Sequence, residues 1–393
     1  MGQLKFIIDS RQKTDKGVFF AIKGAKTDGH HYLEEAKNNG AESAVVSKDY
    51  KGEDFGLKLI RSENPVQTLQ QMAQTKIETA HPFIVGVTGS FGKTTTKEAL
   101  FQAFSTKKSC FKNPQNQNSQ IGLPLSILNF YNGEPLVFLE MGIENGGDME
   151  NLVRIAKPDI AVITRIAEAH LESLKSLENI ALEKGKIVVQ DKTRHLFLHH
   201  SAKHFYDKKE MRGVEKTLYG HLDEPLFGDI YDLIEKLGPL LGLTTEPFNL
   251  ELPDLRYQKK SYQNGMVVLD CYNANPTTMR TFFNLAPIEK GKRRVAIIGQ
   301  MASLGEQSDY FHLKLIEDLR DCFDLAFCLG LKMKPVFEYW KKEGKAVFWV
   351  EAVEDLQLLI KKQIQPQDAV LVKGSNANRL WEVEPWLELA LSN

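Results

Sequence analysis

Short apolar runs recur along the chain, each closed by polar residues and followed by a stretch with helical spacing. In the N-terminal part Lys5–Ile8, Val18–Ile22 and Ser43–Val46 read as strands. A helix over Tyr32–Asn38 stops near Gly40. A polar Glu/Gln/Thr-rich helix around Val66–Thr79 leads to His81-Pro82, a predicted domain joint. Further on, Phe83–Thr88, Leu136–Leu139, Ile160–Thr164 and Val267–Leu269 are strands that each end in polar residues. The stretch 192–262 is less regular and is expected to hold antiparallel strands and a helix at Tyr231–Leu237. The last part gives strands at Arg294–Ile298, Leu325–Leu329, Ala346–Val350 and Ala369–Val372, with helices around Tyr310–Asp321, Pro335–Lys342 and Val353–Lys362 between them. Such alternation predicts an α/β protein of three domains. A small N-terminal α/β domain spans 1–80, a central, doubly wound, mostly parallel sheet 81–288, and a C-terminal Rossmann-like domain 289–393.

Composition changes this picture little. At 393 residues and 42% hydrophobic content the chain can bury ordinary cores. A formal net charge of -1 gives no reason to expect a nucleic-acid or anionic-membrane surface. The four cysteines, Cys110, Cys271, Cys322 and Cys328, are widely spaced and read as buried thiols. The opening Met-Gly-Gln-Leu-Lys-Phe has no signal-peptide core and no apolar run reaches membrane-spanning length, so a cytoplasmic enzyme is expected.

Chemistry concentrates after the strand at 83–88. Gly86-Val87-Thr88-Gly89-Ser90-Phe91-Gly92-Lys93-Thr94-Thr95-Thr96 is a glycine loop between a strand and a helix-forming segment, the setting of a phosphate-binding loop (P-loop). Glycines let backbone N–H groups approach phosphate oxygens, and the helix N-terminus adds partial positive charge. Lys93 would reach the terminal phosphates and the Thr94 hydroxyl would hold Mg²⁺. The common form of this loop has four residues between its outer glycine and the Gly-Lys pair; here Gly86 has five. Glu140 closes the strand at 136–139 and suits Mg²⁺ beside Thr94. His170, following the strand at 160–164, reads as a phosphate or base contact, because hard cations prefer oxygen. Lys184 and Lys186 flank Gly185 and read as a solvated basic turn. Asn273 and Asn275 precede Pro276; their amides suit an adenine or ribose, and equally an Asx turn before a helix.

Taken together these residues resemble the Mur ligase family of amide-forming enzymes, over nearly the whole chain. Thr88 to Glu98 is similar to the family's Thr-Gly-Ser-Asn-Gly-Lys-Thr-Thr-Thr-Lys-Glu pattern, which accounts for the spacing. Asn116-Gln117-Asn118-Ser119-Gln120-Ile121-Gly122-Leu123-Pro124 resembles its Asn-Leu-Asn-Asn-Glu-Ile-Gly-Leu-Pro segment, and Pro158–Thr164 through His170-Leu171-Glu172 its second metal region. Tyr272-Asn273-Ala274-Asn275-Pro276 matches the signature of members that add D-alanyl-D-alanine to UDP-N-acetylmuramoyl-tripeptide.

The resemblance implies ATP-driven formation of an acyl phosphate with two Mg²⁺ ions. It assigns Gly89, Ser90, Gly92, Lys93, Thr94 and Thr95 to the triphosphate, Thr94 and Glu140 to the first Mg²⁺, and His170 to the second. Lys184, fourteen positions after His170, falls at the family's carbamylated lysine. Lys93, Lys184 and His170 are thus the implied catalytic residues. Asn273 and Asn275 would face the adenine nucleotide, Asn116 and Asn118 the acceptor peptide. Ser10, Arg11, Asp28, Gly29 and His30 would hold the UDP-sugar. Lys373 and Ser375 lie in a Lys-Gly-Ser motif of the domain that closes over the dipeptide. A monomer is expected. Rival readings are a relative that adds one amino acid or extends folate with glutamate, and a P-loop kinase. Several positions depart from the family pattern: Phe91 stands for a frequent Asn, Arg165 for an Asn after Thr164, Gln120 for an acid, and Gln300 and Ser303 for two carboxylates.

Overall fold

The computed structural model describes residues 4–207, 211–220, 227–246, 248–286 and 291–392. Among these residues the backbone builds three sheets. In the first, β1 (Lys5–Ile7), β2 (Gly17–Phe20), β3 (Ala41–Ser47) and β4 (Lys58–Ser62) lie in chain order and all parallel. β4 has no buried position and no apolar run, which is why sequence pattern does not reveal it. Helix Pro65–Ala80 follows. The Asn64 side chain accepts from the Val66 and Gln67 backbone N–H groups, and Pro65 stands at the first turn, where no N–H is needed. The helix ends on His81 in a left-handed conformation just before Pro82.

The second sheet comprises β5 (Phe83–Thr88), β6 (Cys110–Lys112), β7 (Leu136–Glu140), β8 (Ile160–Ile163), β9 (His195–His199) and β10 (Glu215–Tyr219). Their spatial order is β10-β9-β8-β5-β7-β6, and every pair is parallel. β7, β8 and β9 are buried along their whole length, as strands covered on both faces must be. The chain leaves β5 toward β6 and β7 on one side and then crosses to β8 on the other. The carboxyl end of β5 is therefore the topological switch point, where doubly wound sheets bind ligands.

The third sheet comprises β11 (Gln258–Ser261), β12 (Met266–Asp270), β13 (Arg294–Gly299), β14 (Leu325–Leu329), β15 (Ala346–Val350) and β16 (Ala369–Lys373), in the order β11-β12-β16-β13-β14-β15. Only β11 is antiparallel, a polar edge strand.

Two expectations change. β12, expected in the central sheet, pairs in register with β16 and belongs to the third sheet. An apolar run identifies a strand but not its partner. The stretch 192–262 contributes parallel strands β9 and β10 to the central sheet, and only β11 is antiparallel. The expected boundary at 288 lies outside the described residues. By contacts the chain divides into two compact units, Met1–Arg165 with Leu182–Asn249, and Ile166–Ala181 with Leu250–Asn393. The first and second sheets share the first unit; the third sheet lies in the second. No described helix is long and apolar enough to cross a membrane.

Candidate active site

In the first unit, β5 runs directly into the glycine loop, and Gly92, at φ +84°, precedes helix Lys93–Ser105. Gly89 adopts φ +151°, and a Cβ there would sit 1.8 Å from the Thr164 hydroxyl oxygen. Only glycine fits. The end of β8 steadies the loop. Ser90 N donates to the Arg165 carbonyl (2.7 Å), and the Thr164 hydroxyl donates to the Phe91 carbonyl (2.7 Å). Lys93 Nζ donates to the Gly89 carbonyl at 2.9 Å, folded back along the loop. Thr94 and Thr95 are buried in the first helical turn.

Glu140 ends β7, next to β5, with 1% of its surface exposed. The Asn113 side chain grips its backbone from both sides. Asn113 Oδ1 accepts from Glu140 N (2.8 Å), and Asn113 Nδ2 donates to Glu140 O (3.1 Å). Asn118 Nδ2 donates to Glu140 Oε1 at 2.6 Å. Glu140 Oε2 is buried with no hydrogen-bond partner; Lys97 Nζ stands 4.0 Å away, an ion pair too long for a hydrogen bond. A buried carboxylate oxygen without a donor is what a divalent cation would satisfy. Among the described residues no cluster of three or more His, Cys, Asp and Glu could hold a metal.

Lys184 was expected in a solvated basic turn and is instead 1% exposed. Helix Leu177–Gly185 carries it, and its neighbour Glu183, also buried, joins a separate network. Glu183 Oε1 accepts from Gly147 N (2.9 Å) and Met149 N (3.0 Å), and Glu183 Oε2 from Lys186 Nζ (2.6 Å). Burial, reinforced by the nearby Lys93 cation and opposed by Glu140 and Glu183, holds the Lys184 amine well below the usual lysine range. Burial also lowers Lys97, which donates to the Asn113 carbonyl (2.6 Å) and so backs the Glu140 clamp. Sequence reading missed Asn113 and Lys97, since neither residue type signals chemistry by itself. Asn118, which the family pattern gives to the acceptor peptide, donates to Glu140 here; Asn116 is exposed.

Elsewhere in the first unit, Ser10 donates to Glu35, and Arg11 forks onto Asp9 (2.7 and 2.9 Å) on the surface, holding that carboxyl down to about 2. His30 is locked. Nε2 accepts from Ser47 N (2.9 Å), so Nδ1 carries the proton donated to Asp28 Oδ1 (2.6 Å). Asp28 also accepts from His30 N, a turn in which Gly29 packs tightly on Ala21 and Ile22.

In the second unit, His170 has φ +59° and its carbonyl accepts from Leu174 N (2.9 Å). Glu168 in the same segment accepts from Thr277 Oγ1 (2.8 Å), tying it to helix Pro276–Leu285. Asn275 caps that helix in a reciprocal box with Thr278, and its buried Nδ2 has no partner. Asn273 is exposed and its Oδ1 accepts from Ala274 N (2.8 Å). Lys373 is buried, donating to Asp270 Oδ2 (2.5 Å) and to the Asn273 carbonyl (3.0 Å). Ser375 donates to the Gln300 carbonyl (2.9 Å) and accepts from Asn378 Nδ2 (2.5 Å).

Comparison with known proteins divides the chain in three. Residues 5–83 match the model described as Mur ligase family, catalytic domain; 87–233 match Mur ligase middle domain; 255–376 match Mur ligase, glutamate ligase domain. The UDP-N-acetylmuramoyl-tripeptide--D-alanyl-D-alanine ligase of Borreliella burgdorferi is 27% identical across 95% of this chain and 92% of the relative. That of Bacillus subtilis is 26% identical across 95% and 91%. A crystal structure of a MurF ligase from Thermotoga maritima in complex with ADP superposes with a TM-score of 0.83 at 27% identity, covering 98% of this chain and 97% of that one. With three successive models of one family matched in order, the chain belongs to the Mur ligase family.

Proposed function

We propose that this chain is an ATP-dependent ligase that joins D-alanyl-D-alanine to UDP-N-acetylmuramoyl-tripeptide, releasing ADP and phosphate, in peptidoglycan precursor synthesis. The observation that carries this reading is the grouping in one unit of the phosphate loop with Lys93, a buried Glu140 with an unsatisfied oxygen, and a buried Lys184 with a depressed pKa. The relatives' name supplies the substrates.

In the reaction the tripeptide's terminal carboxylate attacks the γ-phosphorus of ATP. A new carboxyl-oxygen–phosphorus bond forms, and the bond to the ADP oxygen breaks. The dipeptide amine then attacks the acyl carbon, loses a proton, and phosphate leaves. The protein's task is to hold two anions together and exclude water. The loop N–H groups and Lys93 would receive the phosphates. Asn113, Asn118 and Lys97 keep the Glu140 carboxylate in one orientation. Mg²⁺, held by Glu140 and Thr94, would offset the repulsion between carboxylate and triphosphate.

A lysine amine without its proton is the form that attacks CO₂. A nitrogen–carbon bond forms, one carbonyl electron pair moves to oxygen, a proton leaves, and the product is an anionic carbamate able to ligate Mg²⁺. Burial lowers the Lys184 pKa and so favours that form. The assignment of a second ion to His170 rests on the family pattern alone.

The test is phosphate release from ATP with UDP-N-acetylmuramoyl-tripeptide, with and without D-alanyl-D-alanine. Turnover should require all three. Release supported by single amino acids, or by glutamate with a folate, would assign the chain to another branch; ADP without free phosphate would make it a kinase.

A further inference from the structure

We propose that Arg165 is a positioning residue that sets the glycine loop for nucleotide, anchored from the helix Gly228–Leu241. This deepens the ligase reading and rests on it for the nucleotide, but not for the loop. Four contacts converge on one residue within the first unit. The Arg165 carbonyl accepts from Ser90 N (2.7 Å), and Arg165 and Phe91 form an isolated antiparallel bridge. The guanidinium lies over the Phe91 ring, 5.5 Å from its centre. Its Nη1 pairs with Asp229 Oδ2 at 2.9 Å.

Asp229 is itself firmly placed. It is buried at the first turn of its helix. Gly220, at φ +70°, lies so close that a Cβ there would be 2.7 Å from Asp229 Cβ and 2.9 Å from His199 Nε2. His199 Nε2 faces Asp229 Oδ2 at 3.6 Å. The strut therefore runs from a buried, closely packed carboxylate through a planar cation to the one large side chain of the loop.

A flat guanidinium can both fork onto a carboxylate and stack on a ring; an ammonium cannot do both equally. A loop held in its phosphate-accepting shape before binding loses less freedom on binding. Removing the strut should accordingly weaken nucleotide binding and leave the chemical step nearly intact.

The experiment compares the full-length protein with Arg165→Ala, Arg165→Lys, Phe91→Leu and the Phe91→Leu/Arg165→Ala pair. Without nucleotide, hydrogen exchange at the amides of residues 90–92 should quicken in Arg165→Ala, with exchange elsewhere unchanged. With Mg²⁺ and ADP, calorimetry should give about a tenfold weaker Kd, and KM for ATP should rise in step while kcat changes less than about threefold. Arg165→Lys should fall between, and the double variant should lose no more than Arg165→Ala alone. Unchanged loop exchange in both Arg165→Ala and Phe91→Leu would overturn the proposal. So would losses that simply add, or a kcat that falls with KM untouched. If wild type binds no ADP, the ligase reading fails, and the exchange data still decide whether the strut orders the loop.

Discussion

The glycine-loop edge of the central sheet and the Tyr272–Pro276 turn beyond β12 both carry motifs of one family, yet the structure uses them oppositely. At the loop edge, groups are left unsatisfied. Glu140 Oε2 has no donor, Lys184 is buried against its charge, and Gly89 occupies a conformation other residues resist. At the turn, nearly every polar group is already engaged. Lys373 joins Asp270 to the Asn273 carbonyl, Ser375 is held by Gln300 and Asn378, and Asn275 caps a helix. The loop edge leaves polar groups open; the turn engages most of its own within the protein. Substitutions should separate the two, costing activity at the first and stability at the second.

The largest effect belongs to Lys93. Lys93→Ala should lower acyl-phosphate formation, read as ADP release, by about 10³-fold or more, since it removes a preorganised charge from the developing phosphoryl oxygens. Its unfolding midpoint should stay near wild type. Undiminished ADP release would remove the loop from the chemistry.

Lys184 sharpens the contrast because its two readouts should move in opposite directions. Lys184→Met should lose activity by about 10²-fold or more, while in CO₂-free buffer its thermal midpoint rises. The sign follows from linkage. The folded amine is depressed, so between its folded pKa and about 10.5 the unfolded chain binds more protons and wild-type stability climbs with pH. The gap between variant and wild type should therefore narrow as pH rises toward 10.5. Lys184→Ala should regain part of its activity with small added carboxylates; full activity without them would discard the carbamate.

At the turn, Lys373→Met should do the reverse. It leaves Asp270 without its cation and the Asn273 carbonyl without a donor. A buried pair broken on one side costs about 3–5 kcal/mol; Asp270 is partly solvated, so about 1–3 kcal/mol is expected in denaturant unfolding. A variant as stable as wild type but inactive would move Lys373 from frame to chemistry.

How much of this was legible in the sequence follows the same line. The loop could be read because phosphate binding dictates residue types at fixed spacing, and Glu140 because it ends an apolar run beside it. The burial of Lys184 could not, since a Lys-Gly-Lys string carries no record of which helix face is covered. Nor could the partner of β12, because Val267–Leu269 would look the same in either sheet. Asn118 was given to the acceptor peptide by the family resemblance; its bond to Glu140 joins chain segments 22 residues apart, which no local pattern records. Asn275 was left open between ligand and cap, and the structure supplies the cap.

Asn275 is also where the comparison can break most delicately. Its Oδ1 accepts from Thr278 N (2.9 Å), but its Nδ2 is buried without a partner. The two atoms can be tested apart. Asn275→Ala removes both and should cost about 1 kcal/mol of stability through the lost cap. Asn275→Asp keeps an accepting oxygen and adds a charge favoured at a helix N-terminus, so its stability should match wild type or exceed it by a few tenths of a kcal/mol. It nevertheless lacks the donor. If KM for ATP rises equally in both variants, Nδ2 meets the nucleotide, and the turn carries one unsatisfied group of the kind found at the loop. If only Asn275→Ala changes, and only in stability, the turn is frame throughout. Asn275 already closes a reciprocal capping box with Thr278, as the rest of the turn is engaged within the protein, so the second outcome is expected.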